Sequence, residues 1–170
     1  MKTRPKLLVI GHARHGKDTV CEYLERDYGF TFESSFHLIG KLIVYPILKD
    51  KYNYSSFEEC YKDRVNHRKE WFELVAAYNT PDKTRLGIAL YKQYDIYCGL
   101  RNREEFEALK AAKVFDYCVY VDASNRKPLE PETSMQLTKE DADFIIDNNG
   151  PEIQLVDHVF DLMQQIQFSQ

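Results

Sequence analysis

Gly11-His12-Ala13-Arg14-His15-Gly16-Lys17-Asp18-Thr19 decides how this chain is read. The apolar run Leu7-Leu8-Val9-Ile10 precedes it, and a helix-like pattern, Thr19 to Arg26, follows. Strand, glycine-bearing loop and helix, in that order, form the context in which G-x-x-x-x-G-K binds phosphate. Glycines let the backbone curl so that successive N–H groups point at one anion. The helix contributes its positive N-terminal end, and the Lys17 ammonium reaches the outer phosphates as a point charge. Gly11, Ala13, Arg14, His15, Gly16, Lys17, Asp18 and Thr19 are therefore candidate contacts to the phosphates of a nucleotide. One position departs from the motif. A Ser or Thr usually follows the lysine, and its hydroxyl binds Mg²⁺. Here Asp18 stands there, with Thr19 one residue later. Both are candidate magnesium ligands, Asp18 directly or through water.

Working outward, strand 1 covers Lys6–Ile10 and helix 1 covers Asp18–Tyr28. Phe30–Glu33 reads as a short second strand, followed by Ser34-Ser35. Phe36 to Leu48 is apolar on most sides, which predicts a buried helix interrupted near Pro46. Ser55-Ser56-Phe57-Glu58-Glu59 reads as a capping box. The helix it opens ends near Val65 or continues through Trp71 toward Tyr78. Pro81 opens the next helix, to about Tyr94. Asp95–Leu100 is a buried strand, Asn102–Lys113 a helix with Phe106, Leu109 and Ala112 on one face, and Tyr117–Asp122 another strand. Ser124–Lys139 is polar and holds Pro128 and Pro131, so it must be loop or lid. Asp143–Asp147 is a last strand and Glu152–Gln167 a closing amphipathic helix. Strands alternating with helices imply an α/β fold with a parallel sheet covered on both sides. Ligands on such sheets sit beyond the carboxyl ends of the strands. The phosphate loop, Ser34-Ser35, Arg101-Asn102-Arg103 and Asp122–Arg126 all follow strands and would gather on that edge.

Composition excludes several classes. The 170 residues, 44% hydrophobic and 29% charged, fit one domain with a core. A net charge of −4 lacks the strongly basic footprint of a general nucleic-acid binder. The 4 cysteines, Cys21, Cys60, Cys98 and Cys118, form no C-x-x-C pair. Neither a secretory signal nor a membrane span is visible, and a reducing cytoplasm is the expected location.

A second constellation is cationic. Arg64, His67 and Arg68 are spaced to share one helical face, and Trp71 continues that stripe. Arg101 and Arg103 flank a strand end, and Arg126 follows another. Arginine forks grip phosphate oxygens and stay charged, and phosphoryl transfer needs several such groups. Arg64, Arg68, Arg101 and Arg103 are candidate substrate contacts, with surface salt bridging as the alternative. Arg126 is assigned to the nucleotide. Ser34 and Ser35 either bind the acceptor or cap the following helix. Trp71 and Tyr78 are candidates to stack a base, against the alternative of core packing. His12 and His15 lack metal-ligand partners and are read as filling space in the loop. Asp122 is either a group behind magnesium or the start of a turn. Lys17, Asp18 and Arg101 are the candidate catalytic groups.

On these residues the chain resembles the nucleoside monophosphate kinases of the P-loop superfamily. Its Gly11–Asp18 stretch is similar to the G-x-x-x-x-G-K-D loop of the small deoxynucleoside monophosphate kinases of tailed bacteriophages. Leu100-Arg101-Asn102-Arg103-Glu104-Glu105 resembles the element after their third strand, with Gly99 where an acid is usual. Asp143 to Gly150 resembles their terminal strand and the loop near the adenine, which implies a nucleotide contact at Asn148. The resemblance implies a P-loop kinase fold over residues 1–170, with a five-stranded parallel sheet, a helical acceptor-binding insert at 36–94 and a lid-like loop at 124–139. It further implies ATP and Mg²⁺ as cofactors and a deoxynucleoside monophosphate as acceptor. A related group, the phage kinases that phosphorylate 5-hydroxymethyluracil within DNA, is also similar. That likeness keeps modified DNA open as a partner, and a non-catalytic nucleotide-binding module stays as a further alternative.

Overall fold

Four consecutive apolar residues with no polar alternation suit a strand covered on both faces. β1 (Leu7–Ile10) is such a strand, with all its side chains 0% exposed. The computed structural model describes residues 4–168. In it β1 is the centre of a five-stranded sheet of order β2-β3-β1-β4-β5, where β2 is Phe32–Ser34, β3 Ile96–Cys98, β4 Tyr117–Asp122 and β5 Phe144–Asp147. All pairings are parallel, and Leu8 lies between Tyr97 and Cys118. The expected α/β class, five-stranded parallel sheet and helices on both faces are what the structure has.

Parallel neighbours require crossovers, and helices supply them. The element α1 (Lys17–Tyr28) follows β1. Between β2 and β3 run α2 (Ser35–Ile39), a π-helical turn (Gly40–Val44), α3 (Tyr45–Tyr52), α4 (Phe57–Asp63), a 3₁₀ turn (Arg64–Asn66), α5 (Arg68–Asn79) and α6 (Arg85–Tyr91). The elements α7 (Arg103–Ala111) and α8 (Glu152–Phe168) follow β3 and β5. Strand side chains alternate between two cores. Leu7, Val9, Ile96, Cys98, Val119, Val121 and Ile146 pack with α1 and α8. Leu8, Ile10, Tyr97, Cys118 and Tyr120 pack with Leu90, Phe106 and Leu109 of α6 and α7. The chain leaves β1 toward β2 and β3 on one side and returns to β4 and β5 on the other. The crevice beyond the carboxyl end of β1 is therefore where such a sheet takes ligands. Among the described residues, no helix is long and apolar enough to cross a membrane.

Several sequence expectations need correction. The helix through Pro46 is not broken there. Pro46 sits in the first turn of α3, where no N–H is required, and the π-helical turn before it absorbs the misfit. Nor is that stretch buried on most sides. Val44 and Leu48 face inward while Leu42 and Ile47 are exposed. Of the two endings expected for the helix opened by Ser56, the one near Val65 holds: α4 stops at Asp63 and a 3₁₀ turn runs to Asn66, the Asp63 carboxylate gathering Tyr54 Oη (2.6 Å), Asn66 Nδ2 (2.6 Å) and His67 Nε2 (3.0 Å). Arg64 and Arg68 therefore belong to different elements, and the single cationic helix face does not form. Trp71 is 0% exposed and packs with Val44, Leu48, Phe57 and Cys60, so it is core and cannot stack a base.

One buried polar pair ties β3 to α7. Tyr97 Oη donates to Glu105 Oε1 at 2.8 Å. Burial pushes the Glu105 carboxyl up to about 7 from 4.5. Between those values the folded chain holds a proton that the unfolded chain releases, so this group's contribution to stability falls as pH rises through that window. Glu105→Gln keeps the shape and loses the charge. Urea unfolding at pH 5 and pH 8 should give a smaller pH slope for the variant, with a gain at pH 8 of at most about 3 kcal/mol. Equal slopes for the two proteins would refute the raised carboxyl.

Candidate nucleotide site

The loop leaving β1 must turn back on itself within van der Waals range of the neighbouring strand. At Gly11, φ is +146°, and a Cβ there would lie 2.6 Å from the Val121 carbonyl oxygen. Arg14 and Gly16 also have left-handed φ values, 63° and 100°, and Gly16 caps α1. A side chain at Gly16 would run into the Asn148 amide. Asn148 Nδ2 instead donates to the His15 carbonyl at 2.9 Å, and its own N–H donates to Asp122 O at 2.7 Å. The predicted nucleotide residue Asn148 therefore sits directly beneath the loop and fixes its curvature.

Lys17 is folded over the loop, its Nζ donating to His12 O at 2.8 Å. Burial holds its pKa below the ordinary lysine value. Beside it opens a pocket of about 380 Å³ whose lining includes Arg14, Gly16, Thr19, Arg126 and Asn148. All of these were singled out by the sequence as nucleotide contacts. Leu155 adds an apolar wall, and Arg126 is held by Nε donation to Asn148 O at 2.6 Å. Glu152, which accepts from Tyr23 Oη, lines the pocket as well, and a cradle of backbone donors at a helix N-terminus next to a pocket with cationic, acidic and apolar sides fits a nucleoside polyphosphate.

Asp18 and Thr19 diverge. Thr19 lines the pocket, whereas Asp18 is exposed at the start of α1 and accepts from Cys98 Sγ at 3.4 Å. Among the described residues no group of three or more His, Cys, Asp or Glu could hold a metal. One carboxylate nonetheless fits Mg²⁺, which keeps waters and takes its remaining ligands from substrate phosphates.

The acceptor candidates separate into those near the carboxyl edge and those that are not. Arg101 Nη1 donates to Glu130 Oε1 at 2.6 Å beside the phosphate loop. Ser34 ends β2 and caps α2, its Oγ accepting from His37 N at 3.2 Å. Ser35, the first residue of α2, hydrogen-bonds the buried Tyr97 phenol. The Arg64 guanidinium lies 3.9 Å over the Tyr61 ring, and Tyr61 meets His37 edge-on at 4.9 Å. His37 Nδ1 is 2.7 Å from Glu33 Oε2, so Arg64 belongs to a cluster at the end of β2. Arg68 is exposed beside a separate surface pocket with Asn66 and Glu73. Arg103 is corrected to a structural clamp. It binds Asp141 through both nitrogens, at 2.5 and 2.7 Å, and donates to Gln136 O at 2.9 Å.

Comparison with known proteins extends the fold and no further. No family model and no curated protein matches the sequence. Among solved structures, TT1252 from Thermus thermophilus is 14% identical with a TM-score of 0.51, covering 96% of this chain and 98% of its own. Shikimate kinase from Aquifex aeolicus is 17% identical with a TM-score of 0.46, covering 94% and 96%. A gluconokinase from Sinorhizobium meliloti is 15% identical with a TM-score of 0.47, covering 99% and 99%. Of these, the likeness to TT1252 speaks for the chain's architecture alone.

Sequence reasoning missed what holds the loop from behind. His12 and His15 do not merely fill space. His15 is 0% exposed. Its Nδ1 accepts from Ala123 N–H at 3.0 Å, which leaves the proton on Nε2, 3.1 Å from Pro128 O. His12 Nδ1 accepts from Glu130 N–H at 2.8 Å. Asp122 closes the base of the same segment. Burial alone would raise its carboxyl, but Lys139 at 2.6 Å and the Ser124 contacts bring it down to about 2. The loop after β4 is therefore stitched to the phosphate loop. No motif spacing announces this, because the partners lie more than a hundred residues apart. His15→Ala would leave the Ala123 N–H and Pro128 carbonyl without partners. It should lower stability by about 1–3 kcal/mol and weaken nucleotide binding. Thermal unfolding and ATP titration unchanged from wild type would contradict the stitching role.

Proposed function

We propose that the protein is an ATP-dependent phosphotransferase acting on a deoxynucleoside monophosphate. The observation that carries the reading is the curled loop, with Lys17 folded over it, running into a pocket lined by its own Arg14, Gly16 and Thr19 together with Arg126 and Asn148. In this reading the adenosine end of ATP occupies that pocket, and the N–H groups of Ala13 to Thr19 surround the phosphates. Lys17 exchanges the His12 carbonyl for a phosphate oxygen. Asp18 or Thr19 would hold magnesium, which would supply charge neutralisation to the phosphates. The acceptor oxygen bonds to the terminal phosphorus while the bond to the bridging oxygen breaks, and ADP leaves with that electron pair. Such a transfer is mostly positioning and charge stabilisation, which Lys17 and Arg101 provide. Arg64, which lies over the Tyr61 ring and donates to the Tyr61 carbonyl, is the remaining candidate for a phosphate-bearing acceptor.

A second reading, transfer to the hydroxymethyl group of 5-hydroxymethyluracil in DNA, has its own support. Two of the arginines expected for a phosphate acceptor, Arg68 and Arg103, lie elsewhere or are engaged. A hydroxyl acceptor would want a carboxylate base, and Glu33 with its His37 partner stands at the end of β2.

Purified protein is offered ATP with each free deoxynucleoside monophosphate, then with duplex DNA carrying 5-hydroxymethyluracil. Label should enter a diphosphate, and Lys17→Ala should slow transfer about a hundredfold or more. Label entering only the polymer would reverse the order of the two readings. ATP binding with no transfer to any acceptor would leave a nucleotide-binding module.

A further inference from the structure

An anion is already seated on the phosphate loop, and it belongs to the chain itself. Glu130 Oε2 accepts from the Ala13 backbone N–H at 2.7 Å. Glu130 Oε1 accepts from Arg101 Nη1 at 2.6 Å. The carboxylate is held ionised: burial opposes this, but Arg101 and the Ala13 N–H outweigh it. Its backbone is held as well, the Glu130 N–H donating to His12 Nδ1 at 2.8 Å and Pro128 O lying 3.1 Å from His15 Nε2. Two residues of the phosphate loop thus grip the segment that carries the carboxylate.

This arrangement conflicts with an incoming polyphosphate. One backbone N–H and one guanidinium cannot serve a carboxylate and a phosphoryl oxygen at the same point, and two like charges at that distance repel. Ala13 precedes Arg14 in the loop, whereas the pocket for the rest of the nucleotide is lined by Arg14, Gly16 and Thr19. Glu130 therefore meets the loop at Ala13, outside the pocket's lining, at the position this reading gives to the terminal phosphoryl group. Resting on the phosphotransferase reading above, we propose that Glu130 is a built-in competitor for the terminal-phosphoryl subsite formed by the Ala13 N–H and Arg101. A nucleoside triphosphate displaces it and frees residues 129 to 131, while Ala123 and Pro128 keep their bonds to His15 and Arg126 stays at the pocket. Arg101 then changes partner from carboxylate to phosphate, so it meets the transferring group only after the segment has let go. A nucleoside monophosphate seated in the pocket has no group that reaches this point and leaves the latch closed.

The test compares wild type with Glu130→Gln and Glu130→Ala by calorimetric titration of ATP with magnesium, inorganic tripolyphosphate and AMP. Thermal unfolding checks that each variant is folded, and the isosteric glutamine decides if the alanine variant melts early. Loss of a charge-assisted competitor should tighten ATP and tripolyphosphate about tenfold or more and leave AMP affinity unchanged. A second readout is hydrogen exchange at the residue 130 amide, which donates to His12 Nδ1 in the latched form. ATP should accelerate it in wild type and AMP should not, while Glu130→Ala should exchange rapidly without any ligand. ATP affinity equal to or weaker than wild type in both variants would overturn the latch while leaving the phosphate site standing. An equal gain for AMP would also overturn it, because the effect would not be at the terminal group. Absence of ATP binding by the wild type itself would sink the phosphate-site reading and the latch together.

Discussion

The carboxyl end of β1 imposes the constraint from which the rest follows. The chain must turn from a strand buried on both faces into α1 while aiming its backbone donors at one point. A loop so curled is expensive in conformational freedom and leaves N–H groups unpaired. Its shape is therefore imposed from outside, by neighbours that arrive from β4 and β5. Val121 limits the approach at Gly11, Asn148 underpins Gly16, and Ala123 fixes the His15 ring. The order of the strands matters for this reason. Only with β4 beside β1 and β5 beyond it do these three contacts fall under the loop.

Much of this was legible in the residues. The unbroken Leu7–Ile10 run required a two-sided strand, and the glycine spacing with its lysine required the curled loop. Strand-helix alternation implied the parallel sheet. β4 has the predicted bounds, because Tyr117–Asp122 alternates between two cores and ends at an acid that starts a turn. Arg126 was singled out by its position after a strand and Asn148 by the resemblance, and both line the pocket beside the loop.

The rest was not legible, for identifiable reasons. Trp71 had the right helical spacing for a cationic stripe, but spacing holds only while the helix continues, and the Asp63 turn ends it. The phase of every residue beyond Asp63 was then lost, and the large indole went to the satellite core under Phe36 and Tyr61. Arg103 was judged by its strand-end position, yet a bidentate carboxylate nearby, Asp141, claims the same fork. Asp141 is distant in sequence, and its approach depends on how the loop after β4 folds back. The same loop carried Glu130, a polar residue in a polar stretch with nothing local to distinguish it. Long-range polar pairing of this kind has no periodicity to read.

The Asp122–Lys139 ion pair has a consequence for how that loop can move. It joins the residue that enters the loop to the residue that leaves it, so the span between them is a closed ring rather than a free strand. Closing a ring is the main entropic cost of ordering a loop, and it grows only slowly with the length enclosed. With the ring already closed at its neck, lifting one part of it returns little freedom to the chain and demands little on return. The buried Met135 and Leu137 anchor the far half against the sheet. The stretch around Glu130, between the buried Ala123 and Met135, is thus a short, pre-gathered arc that can detach and settle again without the domain surrendering any of its core.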